Sequence, residues 1–248
     1  MPGETVVVIP CYNEADRLRP DELRRAVAET DGLRLLLVND GSTDGTGGLL
    51  ASLSESSGGR IDVLEMPRNA GKAEAVRVGM RRANDQNVRY VGFWDADLAT
   101  PLQDVAVFAQ ILDGDPRLFT VFGARVKLMG RHIRRNEARH YAGRVFATLV
   151  SISLQAAVYD TQCGAKLFRA GDVLRTVLDQ PFTSRWVFDV EILARLNRLH
   201  RQGIVPPLAS MLVEHPLMRW EDVKGSKVSW TDFPAAAFDL LRIHWRYR

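Results

Sequence analysis

The chain has 248 residues, 46% hydrophobic and 25% charged, with a formal net charge of +3. That is enough to bury a sizeable core in one domain, or one domain with an appendage, and it excludes a disordered or fibrous chain. Cys11 and Cys163 are the two cysteines, too few for a disulfide framework, and they fit reduced thiols in the cytoplasm. Met1-Pro2-Gly3-Glu4-Thr5 lacks the basic start of a signal peptide. The longest mostly apolar run, Phe146–Tyr159, is too short and too polar to span a bilayer, so any membrane contact is expected to be peripheral.

In chain order, Thr5–Ile9 is a continuous β-branched run, which predicts a buried strand. Leu33–Val38, Ile61–Leu64, Tyr90–Trp94 and Phe119–Phe122 repeat the pattern. Gly47–Gly59 reads as a helix and loop, because Leu49, Leu50 and Leu53 interrupt its Gly/Ser content. Ala73, Val76, Met80 and Ala83 form one helical stripe, and Val105, Phe108, Ala109 and Leu112 another. Strands alternating with helices predict an α/β fold with a mostly parallel sheet covered on both faces. In the second half, Arg139–Ala156 reads as a helix with Tyr141, Val145, Leu149 and Ile152 on one side, and Phe188–Leu199 as another. Ser210–Val213 is a candidate strand. From Trp230 onward Trp230, Phe233, Ala237, Leu241 and Trp245 line one side of an amphipathic helix, with Arg242, Arg246 and Arg248 nearby. Such a helix lies at headgroup level on a membrane, docks on the domain, or mediates dimerisation.

Four polar clusters follow the four leading strands: Pro10-Cys11-Tyr12-Asn13-Glu14, Asn39 to Thr46, Asn69-Ala70-Gly71-Lys72 and Asp95-Ala96-Asp97. In a parallel α/β sheet, ligands bind outside the carboxyl ends of the strands, so all four are expected to line one crevice. Asp95 and Asp97, one residue apart after an apolar run, would share a face of an extended segment. Two hard oxygen donors aimed together suit Mg²⁺ or Mn²⁺ and a bound diphosphate; alone, such a pair is more often a solvated turn. Neither familiar phosphate loop is present. Gly45-Thr46-Gly47-Gly48-Leu49-Leu50 ends in Leu where a dinucleotide fingerprint needs Gly or Ala. A P-loop at Gly71-Lys72 would need Gly at Met66 and Ser or Thr at Ala73. Seven Lys/Arg and only Glu137 as an acid occupy 125–144, a local +6 that calls for an anionic partner.

These motifs together resemble the family 2 glycosyltransferases of GT-A fold. The resemblance runs through Val7–Glu14, Val38–Thr46, Asn69–Lys72 and Asp95–Thr100. It continues through Asp160-Thr161-Gln162-Cys163-Gly164-Ala165-Lys166-Leu167-Phe168, Arg185-Trp186-Val187-Phe188-Asp189-Val190-Glu191, and Trp220 to Gly225-Ser226-Lys227-Val228. The second half is most similar to the dolichyl-phosphate β-glucosyltransferase branch. The resemblance implies a GT-A domain over 1–228, with a nucleotide-sugar half (1–100) and an acceptor half (101–228), and C-terminal amphipathic helices, with 229–248 as an appended amphipathic helix that a membrane interface would suit.

It further implies that Asp40 accepts from the donor's base, that Glu14, Pro10 and Tyr12 contact ribose and base, and that Lys72 meets a phosphate beside a helix start. Asp95, with Ala96, would contact the donor and share the metal site with Asp97. Glu14 and Asp44 also read as helix caps, and Lys72 as a solvated helix-start residue. Where some polyprenol-phosphate mannosyltransferases carry a metal-assisting Gln, this chain has Ala99. That departure weakens a mannosyltransferase reading and leaves water or diphosphate to complete the shell.

The implied activity is metal-dependent, inverting transfer of a hexose, glucose from UDP-glucose first, to a polyprenyl (dolichyl-type) phosphate. Alternatives are a hydroxyl acceptor (a glycan or small molecule), or GDP-mannose as donor. A phosphate monoester, with a second pKa of about 6, needs no general base, only cations. Arg125, Arg135 and Arg144 are the candidates, with Asp160 and Gln162 in the same acceptor region. Asp189 would be a base for a hydroxyl acceptor or an orienting group for a phosphate, and Asp160 a base or a turn holder. Cys163 reads as a packed thiol. Nucleic acid is the least favoured partner, since no aromatic platform interleaves the arginines. The expected place is the cytoplasm, with peripheral contact on the cytoplasmic face of a membrane.

Overall fold

A computed structural model describes residues 4–134, 137–221 and 232–248. Arg135 lies outside the described residues, as do Gly225–Val228 and Trp230. The elements run β1 (Thr5–Cys11), α1 (Pro20–Glu29), β2 (Leu33–Asn39), α2 (Thr46–Glu55), β3 (Ile61–Glu65), α3 (Lys72–Asn84), β4 (Tyr90–Trp94), α4 (Asp104–Gly114) and β5 (Thr120–Ala124). They continue as β6 (His132–Arg134), α5 (Glu137–Leu154), β7 (Ala165–Arg169), α6 (Asp172–Leu178), α7 (Phe188–Arg201), α8 (Leu208–Met211), β8 (Leu212–Pro216), β9 (Arg219–Glu221) and α9 (Asp232–Tyr247).

The sheet has seven strands in the order β3-β2-β1-β4-β7-β5-β8. Every strand runs the same way except β7, which is antiparallel to both β4 and β5. The expected mostly parallel α/β sheet is therefore present, with one reversed strand at its centre. β6 and β9 pair apart from it. Alternation along each strand sorts the core into two layers. Val6, Val8, Leu36 and Val38 face α3, α6 and α7. Val7, Ile9, Leu35 and Leu37 face α1, α2 and α4.

α9 carries two apolar faces. Leu240, Ile243 and Tyr247 are buried in the layer that contains α7. Phe238, Leu241 and Trp245 are exposed. On α5, Ala147, Val150 and Leu154 are buried; of the stripe Tyr141, Val145, Leu149 and Ile152, the last three face outward and the Tyr141 side chain lies outside the described ones. No helix among the described residues is long and apolar enough to cross a membrane.

Asp104, in the first turn of α4, is pushed up to about 6 by burial, against the opposing charge of Arg131. Its buried Oδ2 has no hydrogen-bond partner among the described residues. An acid raised in the folded state takes its proton before the unfolded chain does. The cost of its ionised form is present at neutral pH and is relieved as pH falls through about 6. Asp104→Asn should raise Tm at pH 7.5 and leave it nearly unchanged at pH 4.5. Thermal unfolding of the two chains across that range checks the sign.

Candidate active site

The carboxyl ends of β1, β2 and β4, with the loop after β3, open onto one cleft of about 390 Å³. All four polar clusters meet there: Pro10, Tyr12 and Glu14 at the end of β1 and just after it; Asp40 after β2; Asn69, Gly71 and Lys72 at the start of α3; and Asp95, Ala96 and Asp97 after β4.

Asp40 is 2% exposed and tied to its neighbours. Its Oδ1 accepts from the Ala70 N–H at 2.7 Å and its Oδ2 from the Gly71 N–H at 2.9 Å. Each oxygen retains a second lone pair, so Asp40 both shapes the 69–72 turn and faces the cleft. Asp44 is a local cap: Oδ1 accepts from the Thr46 N–H at 3.0 Å and Oδ2 from the Ala15 N–H at 3.3 Å. The Glu14 N–H donates to Thr46 Oγ1 at 2.8 Å, and its carboxylate lies 3.5 Å from Arg17 Nε.

The two acids after β4 are not on a strand face, as the sequence reading had them. β4 ends at Trp94, and Asp95–Leu98 is a turn closed by the Leu98 N–H to the Asp95 carbonyl at 3.1 Å. Leu98 sits at φ +50°, a strained backbone for a bulky residue and the kind found at functional sites. The turn, rather than strand alternation, aims both carboxylates into the cleft. Asp95 donates its N–H to the Gly164 carbonyl at 2.9 Å, and its carboxylate rests on Gly164. A Cβ at residue 164 would stand 1.9 Å from Asp95 Oδ2, so only glycine leaves room. Asp97 Oδ1 accepts from the Ala99 N–H at 3.1 Å, and Oδ2 is 3.8 Å from Arg17 Nη2.

Lys72 is ion-paired with Asp95. Burial alone would lower its pKa, but the charges of Asp95, Asp189 and Asp97 outweigh it and raise it. Asp97 is raised by burial and by the like charge of Asp95. Two carboxylates that repel each other in a poorly hydrated cleft fit a divalent cation with oxygen preference, Mg²⁺ or Mn²⁺. Among the described residues no group of three or more His, Cys, Asp or Glu forms a closed cage, so a diphosphate or water would supply the remaining ligands.

Beneath the turn lies a buried ion pair. Lys166 on β7 is fully buried between the rings of Phe93 and Phe122, its Nζ 5.0 and 4.7 Å from their centroids. Nζ lies 2.6 Å from Asp189 Oδ1 and donates to the Cys163 carbonyl at 2.5 Å. Asp189, in the first turn of α7, is raised by burial, with Lys166 and Lys72 opposing. Glu191 is structural: it accepts from the Thr183 N–H at 2.7 Å and the Tyr247 hydroxyl at 2.8 Å, and pairs with Arg195 at 2.8 Å. The Cys163 thiol is pushed up to about 11 by burial, as befits a packed thiol.

The expected acceptor residues take other places. Arg125 does not line the cleft. Its Nε and Nη2 each lie 2.7 Å from Asp160, and it stacks over Trp220. Glu214 holds that corner by accepting from the N–H groups of Tyr159 and Asp160, both at 2.7 Å. Arg144 lies over the Tyr159 ring, 4.0 Å from its centroid. Gln162 is exposed, and neither it nor Arg144 or Asp160 lines the cleft. Arg135 is outside the described residues. The cleft instead includes Arg17, Arg185 and Trp186, which the sequence reading did not place there. The advance signal for Arg17 was position, three residues after Glu14, and for Arg185 and Trp186 it was the family-like motif Arg185–Glu191 leading into a helix.

The pattern of glycosyl transferase family 2 matches residues 6–174. The dolichyl-phosphate beta-glucosyltransferase of Drosophila melanogaster is 33% identical over 266 residues, covering 98% of this chain and 75% of the relative. The enzyme of that name from Saccharomyces cerevisiae is 29% identical, covering 97% of this chain and 74% of its own. Among solved structures, glucosyl-3-phosphoglycerate synthase from Mycobacterium tuberculosis, in complex with Mn²⁺ and UDP-glucose, aligns with a TM-score of 0.65 at 17% identity, covering 98% of this chain and 79% of that one. A mannosyltransferase from Pyrobaculum calidifontis, in complex with GDP-Man and Mn²⁺, aligns with a TM-score of 0.61 at 18% identity, covering 98% and 63%. These neighbours share the GT-A fold.

Removing one partner of a buried ion pair strands the other charge, at a cost of about 3–5 kcal/mol. Lys166→Met should destabilise the chain by about that much, and Lys166→Met with Asp189→Leu by clearly less. Denaturant unfolding of the single and double variants measures the difference.

Proposed function

The chain belongs to glycosyl transferase family 2, and we propose that it moves glucose from UDP-glucose to a polyprenyl phosphate, with inversion at the anomeric carbon. The bond from C1 to the diphosphate oxygen breaks, a bond from C1 to an acceptor phosphate oxygen forms, and UDP departs. The relatives named dolichyl-phosphate beta-glucosyltransferase over nearly the whole chain support this acceptor and sugar.

The observation that carries the reading is the ion pair of Lys166 and Asp189. The family resemblance puts the base for a hydroxyl acceptor in this region. Here that acid is 5% exposed and neutralised by a lysine. A phosphate monoester is already anionic at neutral pH and asks for no proton to be removed. Tyr12, Pro10, Glu14 and Asp40 line the part of the cleft assigned to the nucleoside. Lys72 and the start of α3 favour the phosphates. Asp97, with Asp95 beside it, would hold Mg²⁺ or Mn²⁺, which supplies neutralisation of the charge on the departing diphosphate.

A lipid acceptor calls for access to a bilayer. Val145 and Ile152 on α5 are 64% and 69% exposed, and Phe238 and Trp245 on α9 are 62% and 72% exposed. The helices touch, with Ser153 Oγ and His244 Nδ1 3.0 Å apart. Leu149 and Leu241 extend the apolar surface, and Arg242, Arg246 and Arg248 flank it. This surface supports peripheral attachment to the cytoplasmic face of a membrane.

The purified chain, given UDP-glucose, Mn²⁺ and a polyprenyl phosphate in detergent, should form an organic-extractable glucosyl phosphate lipid. The rate should rise with pH through about 6 and then level as the acceptor completes its ionisation. GDP-mannose should not replace UDP-glucose. Transfer only to hydroxyl acceptors would contradict the reading.

A further inference from the structure

The cations that reach the cleft are not equally available. Lys72 is committed to Asp95. Arg17 lies 3.5 Å from Glu14 and 3.8 Å from Asp97. Arg185 differs: its Nη2 donates to the neutral Asn69 Oδ1 at 3.1 Å, and it has no carboxylate partner among the described residues. A guanidinium has five N–H donors, and this one lines the cleft with a single hydrogen bond to a side chain among the described residues.

Its placement is built in. The guanidinium lies against Gly71, the residue before α3, where a Cβ would stand 2.6 Å from Arg185 Nε and 3.0 Å from Nη2. Gly71 holds φ +94°, and any larger residue there would displace the arginine. On its own side, Arg185 follows Ser184, which is 1% exposed and accepts from the N–H groups of Trp186 at 3.2 Å and Val187 at 2.9 Å. Phe188 anchors the same turn on Phe93, ring centroids 5.5 Å apart. Trp186, 43% exposed, lines the same cleft. An uncompensated charge held on a braced turn beside a helix start is preorganised for an anion.

We propose that Arg185 is a phosphoryl-binding residue of this cleft, with Trp186 as the apolar wall beside it. The proposal deepens the reading above and rests on it for the identity of the ligands. The planar fork suits a phosphoryl oxygen pair. Two sources carry that chemistry: the diphosphate of the nucleotide sugar and the monoester of the acceptor.

Calorimetric titration with uridine and with UDP, both with Mn²⁺, and the KM for polyprenyl phosphate separate the sources. For a diphosphate ligand, Arg185→Gln should weaken UDP at least about tenfold and leave uridine unchanged, with Arg185→Lys recovering part of the loss. For an acceptor ligand, UDP binding should hold while the acceptor KM rises about tenfold. UDP affinity and acceptor KM both within about twofold of the parent chain, or equal losses for uridine and UDP, would overturn the proposal. A parent chain that binds UDP but glucosylates no lipid phosphate would sink the acceptor reading alone, with the UDP arm still deciding Arg185.

Discussion

Two lysines and three aspartates share one poorly hydrated space at the ends of β4 and β7, and the site is organised around that imbalance. Lys166 balances Asp189, and Lys72 balances Asp95, while Asp97 sits beside them with Arg17 3.8 Å away. Partial burial and the like charge of Asp95 penalise the ionised form, and Asp97 registers this as a carboxyl that holds its proton more tightly than usual. A divalent cation bound with a diphosphate would relieve that repulsion, with Asp95 and Asp97 as the residues to hold it and the diphosphate or water to complete its ligands. The protein supplies two carboxylates and a shaped cleft, and leaves the rest of the coordination to the substrate.

The reversed strand β7 makes this possible. Paired antiparallel with β4, it sets Lys166 opposite Phe93 and Ala165 opposite Trp94, which puts Gly164 next to Asp95. A lysine can stay charged there because two aromatic rings, a carbonyl and a carboxylate surround its ammonium. The start of α7 serves both sides of the wall. Ser184 braces it, Arg185 and Trp186 face the cleft, and Phe188 and Asp189 point into the core. Glu191 then ties the same helix to Tyr247 of α9, so the helix with the exposed apolar face is fixed to the one that frames the site.

Much of this was legible in the residues. A β-branched run in β1 and largely apolar runs in β2 and β4 gave these strands nearly to their ends, because parallel strands buried on both faces leave little sequence ambiguity. The rule that ligands gather at strand carboxyl ends brought the four polar clusters to one cleft. Harder were features that depend on pairing across distance. β7 is five residues long and contains Lys166, a charge at a core position, so its pattern does not announce a central strand. Arg125 looked available because the chain near it is basic, and nothing local revealed that Asp160, 35 residues on, would take its guanidinium. The outward stripe of α5 was visible as a stripe, but only the packing of α5 itself against α7 and α9 showed which stripe faces out. Arg185 stood in a family-like motif, but its place on the cleft wall depends on Gly71, more than a hundred residues earlier in the chain.

The central claim is that a divalent ion and a nucleotide diphosphate enter this charge arrangement together, through Asp97. Calorimetric titration of UDP-glucose over a range of Mn²⁺, on the parent chain and on Asp97→Asn, tests it most directly. The account predicts that Mn²⁺ tightens UDP-glucose on the parent chain at least about tenfold and has almost no effect on the variant. Equal tightening by Mn²⁺ on both chains would contradict it.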